Sequence, residues 1–123
     1  DEIDISRGDM IVRENNVPQV GQDLEVLVTW MNAKPLHSRI KVNVKHTTNE
    51  CMAMIKELKY KVDINTLHRI EDIEKLDMND IGRITLRTSK PLFYDTYKKN
   101  RQTGSLIMID EQPNETIGAG MII

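Results

Sequence analysis

Asn100-Arg101-Gln102-Thr103-Gly104-Ser105-Leu106-Ile107-Met108-Ile109-Asp110, followed after a short polar linker by Thr116-Ile117-Gly118-Ala119-Gly120-Met121-Ile122, is the stretch that decides the fold of this chain. The linker Glu111-Gln112-Pro113-Asn114-Glu115 carries a turn signal. Pro fixes its own φ, biases the residue before it to extended geometry, and Asn tolerates the left-handed region. Two apolar runs around such a turn read as a β-hairpin. Its first strand is apolar on both faces, Leu106 and Met108 on one, Ile107 and Ile109 on the other. Its second places Gly118 and Gly120 on one face, and strand glycines mark a bend or a close approach by another backbone. A hairpin greasy on both sides predicts that something packs outside it as well as beneath it.

Bulk properties narrow the class. The chain has 123 residues, the length of one domain, and a domain of that size hides roughly two thirds of its unfolded surface. Acidic residues outnumber basic ones, 19 to 17, so no bulk attraction to nucleic acid or anionic lipid is expected. A single cysteine, Cys51, permits no internal disulfide and fits a reducing cytoplasm. The apolar run Leu106 to Ile109 is far short of the ~20 residues a membrane helix needs. The chain opens Asp1-Glu2-Ile3 rather than with Met, and reads as a piece of a longer protein.

From the N-terminus, Ile3 and Ile5 alternate with Asp4 and Ser6, Arg7-Gly8-Asp9 makes a turn, and Met10-Ile11-Val12 resumes a strand. Residues 13–23, with Pro18 and Gly21, read as a linker, so 1–12 are expected to be the remnant of a preceding domain. Cut from its sheet, that remnant is expected to be disordered or to pair with an exposed strand edge. Residues 24–123 form the domain proper. Leu24, Val26, Val28 and Trp30 alternate with Glu25, Leu27, Thr29 and Met31, a strand by period two. Pro35 breaks the pattern. Ile40, Val42 and Val44 against Lys41, Asn43 and Lys45 make a second strand, expected to pair with the first as a hairpin.

Residues 47–58 are ambiguous. Cys51, Met54, Ile55 and Leu58 sit at helical spacing, whereas Cys51, Ala53 and Ile55 also alternate. Leu58, Tyr60, Val62 and Ile64 alternate in the opposite parity, which a bulge near Lys56-Glu57 would reconcile. Residues 65–79 are polar and punctuated, pointing to turns or one short helical turn. Arg83 to Thr88 is another strand, Pro91 to Tyr97 a short extended segment, and Lys98 to Gly104 a basic loop. Many short strands spaced by turns predict an all-β barrel or sandwich.

Little here bears reactive chemistry. Gly118-Ala119-Gly120 lies in a strand with no helix after it, so it does not cradle phosphates. His37, His46, His68 and Cys51 lack metal-ligand spacing, and Cys51 reads as buried and inert. Glu71-Asp72 and Asp77-Asp80 read as solvated surface. Lys41, Lys45, Lys59, Lys61, Arg83 and Arg87 fall on the polar faces of three strands. They form either a basic stripe for RNA or an acidic partner, or a set of outer-face charges that discourages aggregation.

The glycine strand Thr116 to Ile122 resembles the last strand of the third domain of elongation factor Tu and its relatives. Asn100 to Asp110 is similar to a motif close to NR-x-TGSF-I-x-ID of the large, GTP-binding subunit of bacterial sulfate adenylyltransferase. Leu58-Lys59-Tyr60-Lys61-Val62-Asp63-Ile64-Asn65-Thr66-Leu67 resembles the LKY-x-VDVNTL of that family, and Asp1 to Asp9 the end of its second domain. Trp30-Met31 with Pro35-Leu36, and Asn79-Asp80-Ile81-Gly82, fit as well. The departures are Leu106 for Phe, Pro113 for Thr, and Ile for Val at 64 and 117.

The resemblance implies a six-stranded antiparallel closed barrel of the elongation factor Tu C-terminal type, and makes 47–58 strand. It implies a cytoplasmic GTPase subunit that works with a smaller catalytic subunit to make adenosine 5′-phosphosulfate from ATP and sulfate, in sulfate assimilation. GTP and Mg would belong to a GTPase domain elsewhere in the polypeptide, and ATP to the partner subunit. The barrel itself would hold no cofactor and would dock on its own GTPase domain, on the second domain, or on the partner. Asp95, Tyr97, Asn100, Arg101, Gly118 and Gly120 are expected to lie near that interface. One alternative is the barrel of a translation elongation factor, contacting a transfer RNA arm. Another is a free-standing binding barrel.

Overall fold

The computed structural model describes residues 19–110 and 115–123. The expectations for 1–12, most of the linker reading, and the Pro113 turn lie outside the described residues. Those described form nine strands and no helix: β1 Gln19–Trp30, β2 Leu36–His37, β3 Lys41–His46, β4 Asn49–Val62, β5 Arg69–Ile70, β6 Lys75–Leu76, β7 Ile81–Tyr94, β8 Ser105–Asp110 and β9 Glu115–Ile122. β1 therefore starts at Gln19, inside the segment expected as linker.

Six of these strands close on themselves in the order β3-β8-β9-β1-β7-β4 and back to β3, every pair antiparallel. This is the closed six-stranded barrel. The expected hairpin between the first two strands does not form. Both edges of β1 are taken, by β7 and by β9, while β3 sits between β4 and β8. Residues 31–40 instead cross the barrel end, anchored where Trp30 Nε1–H donates to the Lys34 carbonyl at 2.7 Å.

Alternation fills the interior. Val26 and Val28 of β1, Ile84 and Leu86 of β7, Ile55 of β4 and Met108 of β8 are fully buried. Each such side chain contributes roughly 1.5–3 kcal/mol relative to exposure. The short β2 and β6 pair with each other and bring the fully buried Leu36 and Leu76 over the Trp30 end. No room remains beneath Gly82, where a Cβ would stand 2.7 Å from Leu76 Cδ2.

Residues 47–58 are strand, apart from the turn at Thr47–Thr48, and the register of β4 against β7 shifts between Ile55 and Glu57. That is the bulge the parity change required. A second shift falls between Leu58 and Tyr60. Residues 65–79 hold the two-residue strands β5 and β6 and turns, one of them closed i→i+4 from the Leu67 N–H to the Asp63 carbonyl at 2.7 Å. Pro91 lies within β7, in the stretch 88–91 that has no register partner in β1, so its missing N–H costs no bond there.

Candidate functional site

The outer wall of the barrel has two unlike halves, each set by the outward-facing positions of its strands. Over β1, β7 and β4 the wall is charged. Glu25 receives hydrogen bonds from Arg83 and accepts Lys59 Nζ at 2.7 Å, and Asp23 accepts Arg87 at 2.7 Å and Lys56 at 3.4 Å. Lys61 reaches Asp80 at 3.6 Å. The Arg83 guanidinium, then the Lys59 ammonium, hold the Glu25 carboxyl below its ordinary range, and Glu25 in turn raises Arg83. Arg87 lowers Asp23 in the same way. Four of the six residues of the expected basic stripe, Lys59, Lys61, Arg83 and Arg87, are thus paired with carboxylates of this chain, Glu25 serving both Lys59 and Arg83. Only Lys41 and Lys45, on β3, have no such partner among the described residues. A continuous run of unpaired cations does not form among the described residues.

Over β1, β9 and β8 the wall is apolar. Leu27 stands opposite Met121, Thr29 opposite Ala119, and Ile107 opposite Ala119 from the other side. These residues floor a groove of about 750 Å³ whose rim includes Lys45, Thr47, Thr48, Tyr97 and Gln102. All five floor side chains are half-buried, although nothing among the described residues lies over them. The second apolar face of the hairpin is this floor, with Ile107 in it.

The loop 95–104 borders the groove and is built rather than loose. Asn100 Oδ1 accepts the Gln102 N–H at 2.9 Å and the Thr103 N–H at 3.3 Å, and the Gly104 N–H donates to the Asn100 carbonyl at 2.8 Å. Thr103 Oγ1 donates to the Asp95 carboxylate at 3.1 Å. Buried His46 lies 2.7 Å from the Thr103 carbonyl through Nε2. That acceptor requires the proton on Nε2. The Tyr97 N–H donates to the Ile122 carbonyl at 2.8 Å, tying the loop to the end of β9.

The six expected interface residues therefore divide. Tyr97 lines the groove. Asn100 and Asp95 hold the loop in shape, and Arg101 is exposed, with no ion pair among the described residues. Gly118 and Gly120 are buried, Gly120 beneath the groove. A Cβ at 118 would lie 3.2 Å from Trp30 Cε3, and one at 120 would collide with Val26. The close approach that these glycines permit is by side chains across the barrel, and Gly120 also lies in the lining of the groove. The groove floor, Leu27, Thr29, Ala119 and Met121, was not picked out from sequence. Outward apolar residues look like core until the inner face is known.

Cys51 is half-buried and packs on the core. Among the described residues no three His, Cys, Asp or Glu side chains come together as a metal site. Gly118-Ala119-Gly120 is paired strand with no helix N-terminus behind it, so these residues do not fit a nucleotide phosphate.

Comparison with known proteins agrees with this geometry. The family model described as GTP-eEF1A C-terminal domain-like matches residues 23–123. The whole chain is 47% identical over 125 residues to the "Bifunctional enzyme CysN/CysC" of Mycobacterium tuberculosis. It is 42% identical over 123 residues to the "Sulfate adenylyltransferase subunit 1" of a Sulfurovum species. It spans only 20% and 26% of those two proteins. A crystal structure of sup35 complexed with GMPPNP superposes over 100% of this chain and 30% of its own with a TM-score of 0.82, at 14% identity, which shows the shared fold. By its closed barrel, its family model and its similarity to sulfate adenylyltransferase subunits over its full length, the chain belongs to the GTP-eEF1A C-terminal domain-like family.

Proposed function

We propose that this barrel is the non-catalytic C-terminal docking domain of a cytoplasmic GTP-binding sulfate adenylyltransferase subunit. In the whole protein, GTP hydrolysis would drive adenosine 5′-phosphosulfate formation from ATP and sulfate by a smaller catalytic partner. GTP with Mg would bind elsewhere in the polypeptide, and ATP in the partner. The carrying observation is the groove over β1, β9 and β8: an apolar outer wall on a domain that spans a fifth to a quarter of its relatives' length. Permanent interfaces are more apolar than transient ones, so the rest of the same polypeptide is its natural cover. A closed, fully paired barrel acts there as a rigid body through which nucleotide state can bias the assembly.

The test is made in the full-length protein with its smaller subunit, measuring GTP-dependent formation of adenosine 5′-phosphosulfate. Leu27→Glu with Met121→Glu is expected to abolish the GTP stimulation while the isolated 123-residue chain keeps its fold by circular dichroism. Arg101→Glu is expected to weaken assembly. Unchanged GTP stimulation in the groove variant rejects the docking role. The transfer RNA reading is less favoured, since four of the six stripe cations are already held by carboxylates of this chain that a phosphate would have to displace.

A further inference from the structure

The hairpin β4–β5 projects from the barrel, pairing Lys61 with Ile70 and Val62 with Arg69, and its tip carries a costly arrangement. Leu67 is 76% exposed and Ile64 61%, the two most exposed large apolar side chains among those described. Leu67 also has φ of 61°, a left-handed conformation that a leucine seldom adopts. Two unfavourable features therefore coincide at one residue.

The turn is fixed in this shape by its own hydrogen bonds. Asp63 Oδ1 accepts the Asn65 N–H at 2.9 Å, the Asp63 carbonyl accepts the Leu67 N–H at 2.7 Å, and the Asp63 N–H donates to the His68 carbonyl at 2.9 Å. Arg69 lies over the Tyr60 ring, 4.6 Å from its centroid, which braces the hairpin's stem. The apolar tip is thus pre-organised in the free barrel, and pre-organisation lowers the cost of binding.

Charge around the tip states what would cover it. Asp77 and Asp80 already face Lys75 and Lys61. Glu71, Asp72 and Glu74, which follow the hairpin directly, are exposed and have no cation within ion-pair reach among the described residues. Elsewhere on the barrel, Asp23 and Glu25 are each met by two cations of this chain. An apolar knob beside three unpaired carboxylates, with Arg69 drawn onto the Tyr60 ring, complements an apolar pocket rimmed by lysine or arginine. A small charged contact of this kind suits a separate partner that is steered and exchanged, in contrast to the apolar groove.

We infer that Ile64 and Leu67 are the anchor by which the barrel binds a polypeptide partner with a basic-rimmed apolar pocket. This rests on the proposed assembly, and the partner is its smaller subunit. The experiment is biolayer interferometry of the full-length protein with the smaller subunit, at low and at physiological salt. Variants are Leu67→Gly, Ile64→Ser and Glu71→Lys/Asp72→Lys/Glu74→Lys. Leu67→Gly is expected to weaken binding at least tenfold and yet not lower the Tm of the 123-residue chain, because glycine relieves the left-handed strain. A residue with only a structural role could not give those opposite signs. The triple charge reversal is expected to weaken binding at least tenfold and remove its salt dependence. Wild-type binding that all three variants retain within twofold overturns the inference and leaves the proposed function standing. Failure of the wild-type proteins to associate overturns both. Binding of a single-stranded RNA by the wild-type chain, lost in Leu67→Gly, overturns it in favour of a nucleic acid.

Discussion

Gly104 is where the chain has least freedom, and Gly104→Ala is the sharpest test of how the groove-bordering loop is built. A Cβ there would run into the Tyr97 N and Cα atoms and lie 2.6 Å from the Asn100 carbonyl oxygen. These obstacles are main chain, which cannot rotate aside, so the loop must lift. Three backbone hydrogen bonds pass through the spot. Tyr97 N–H donates to Ile122 O at 2.8 Å, Gly104 N–H to Asn100 O at 2.8 Å, and Ile122 N–H to Gly104 O at 2.7 Å. Losing two of them costs about 1 kcal/mol each, and overpacking adds about 1–3 kcal/mol, for a total of about 3–5 kcal/mol. At roughly 4–8 °C per kcal/mol the Tm should fall by more than about 12 °C. Urea unfolding followed by Trp30 fluorescence reads this directly, because the single tryptophan is buried in the barrel. Gly21→Ala is the control. Its Cβ would meet only the Tyr94 ring at 3.9 Å, so stability should stay within about 0.5 kcal/mol. If Gly104→Ala costs less than about 1 kcal/mol, or less than Gly21→Ala, the account of the loop is wrong.

Other outcomes follow from the same contacts. Gly118→Ala, 3.2 Å from Trp30 Cε3 and 3.4 Å from the yielding Met108 Sδ, should cost about 0.5–2 kcal/mol in the same unfolding assay, between the two glycines above. Trp30→Phe removes the N–H that the Lys34 carbonyl accepts together with buried volume, and should cost about 2 kcal/mol by urea unfolding. Glu25 has a folded pKa below its ordinary value of 4.5, so its contribution is complete above that value and lost as pH falls through the folded pKa. Stability measured from pH 7 down to pH 2 should hold until about pH 4.5 and then decline, and Glu25→Gln should flatten part of the decline. At neutral pH that variant should cost up to about 1 kcal/mol, since the pair is partly exposed.

What the sequence made legible is what period two controls. The inward positions of residues 24–31, 40–45 and 83–88 and the parity break at 56 all appear in the fold, because alternation reports which face is apolar. Alternation is silent about neighbours. β1 was expected beside β3, yet it lies between β7 and β9, whose partner residues are more than fifty positions away. For the same reason the basic stripe looked unpaired: Asp23 and Glu25 face Arg87 and Arg83 only once β1 and β7 are joined. Gly118 and Gly120 were legible as a close approach, but Trp30 and Val26 as the approaching atoms were not. The groove was half legible, in a strand apolar on both faces; its other half comes from β1.

The position of β1 has a consequence for the chain as it is made. Its two neighbours are β7 and β9, and β9 ends at Ile122. A ribosome adds about 5–20 residues per second, so Trp30 emerges on the order of 5–20 s before Ile122 does. Through that interval β1 has one or both edges bare, exposing Val26, Val28 and Trp30 to any other nascent chain nearby. Closure is the last event of synthesis for this barrel, and release or pausing shortly before Gly118 would leave a nearly complete sheet with a seam that cannot seal.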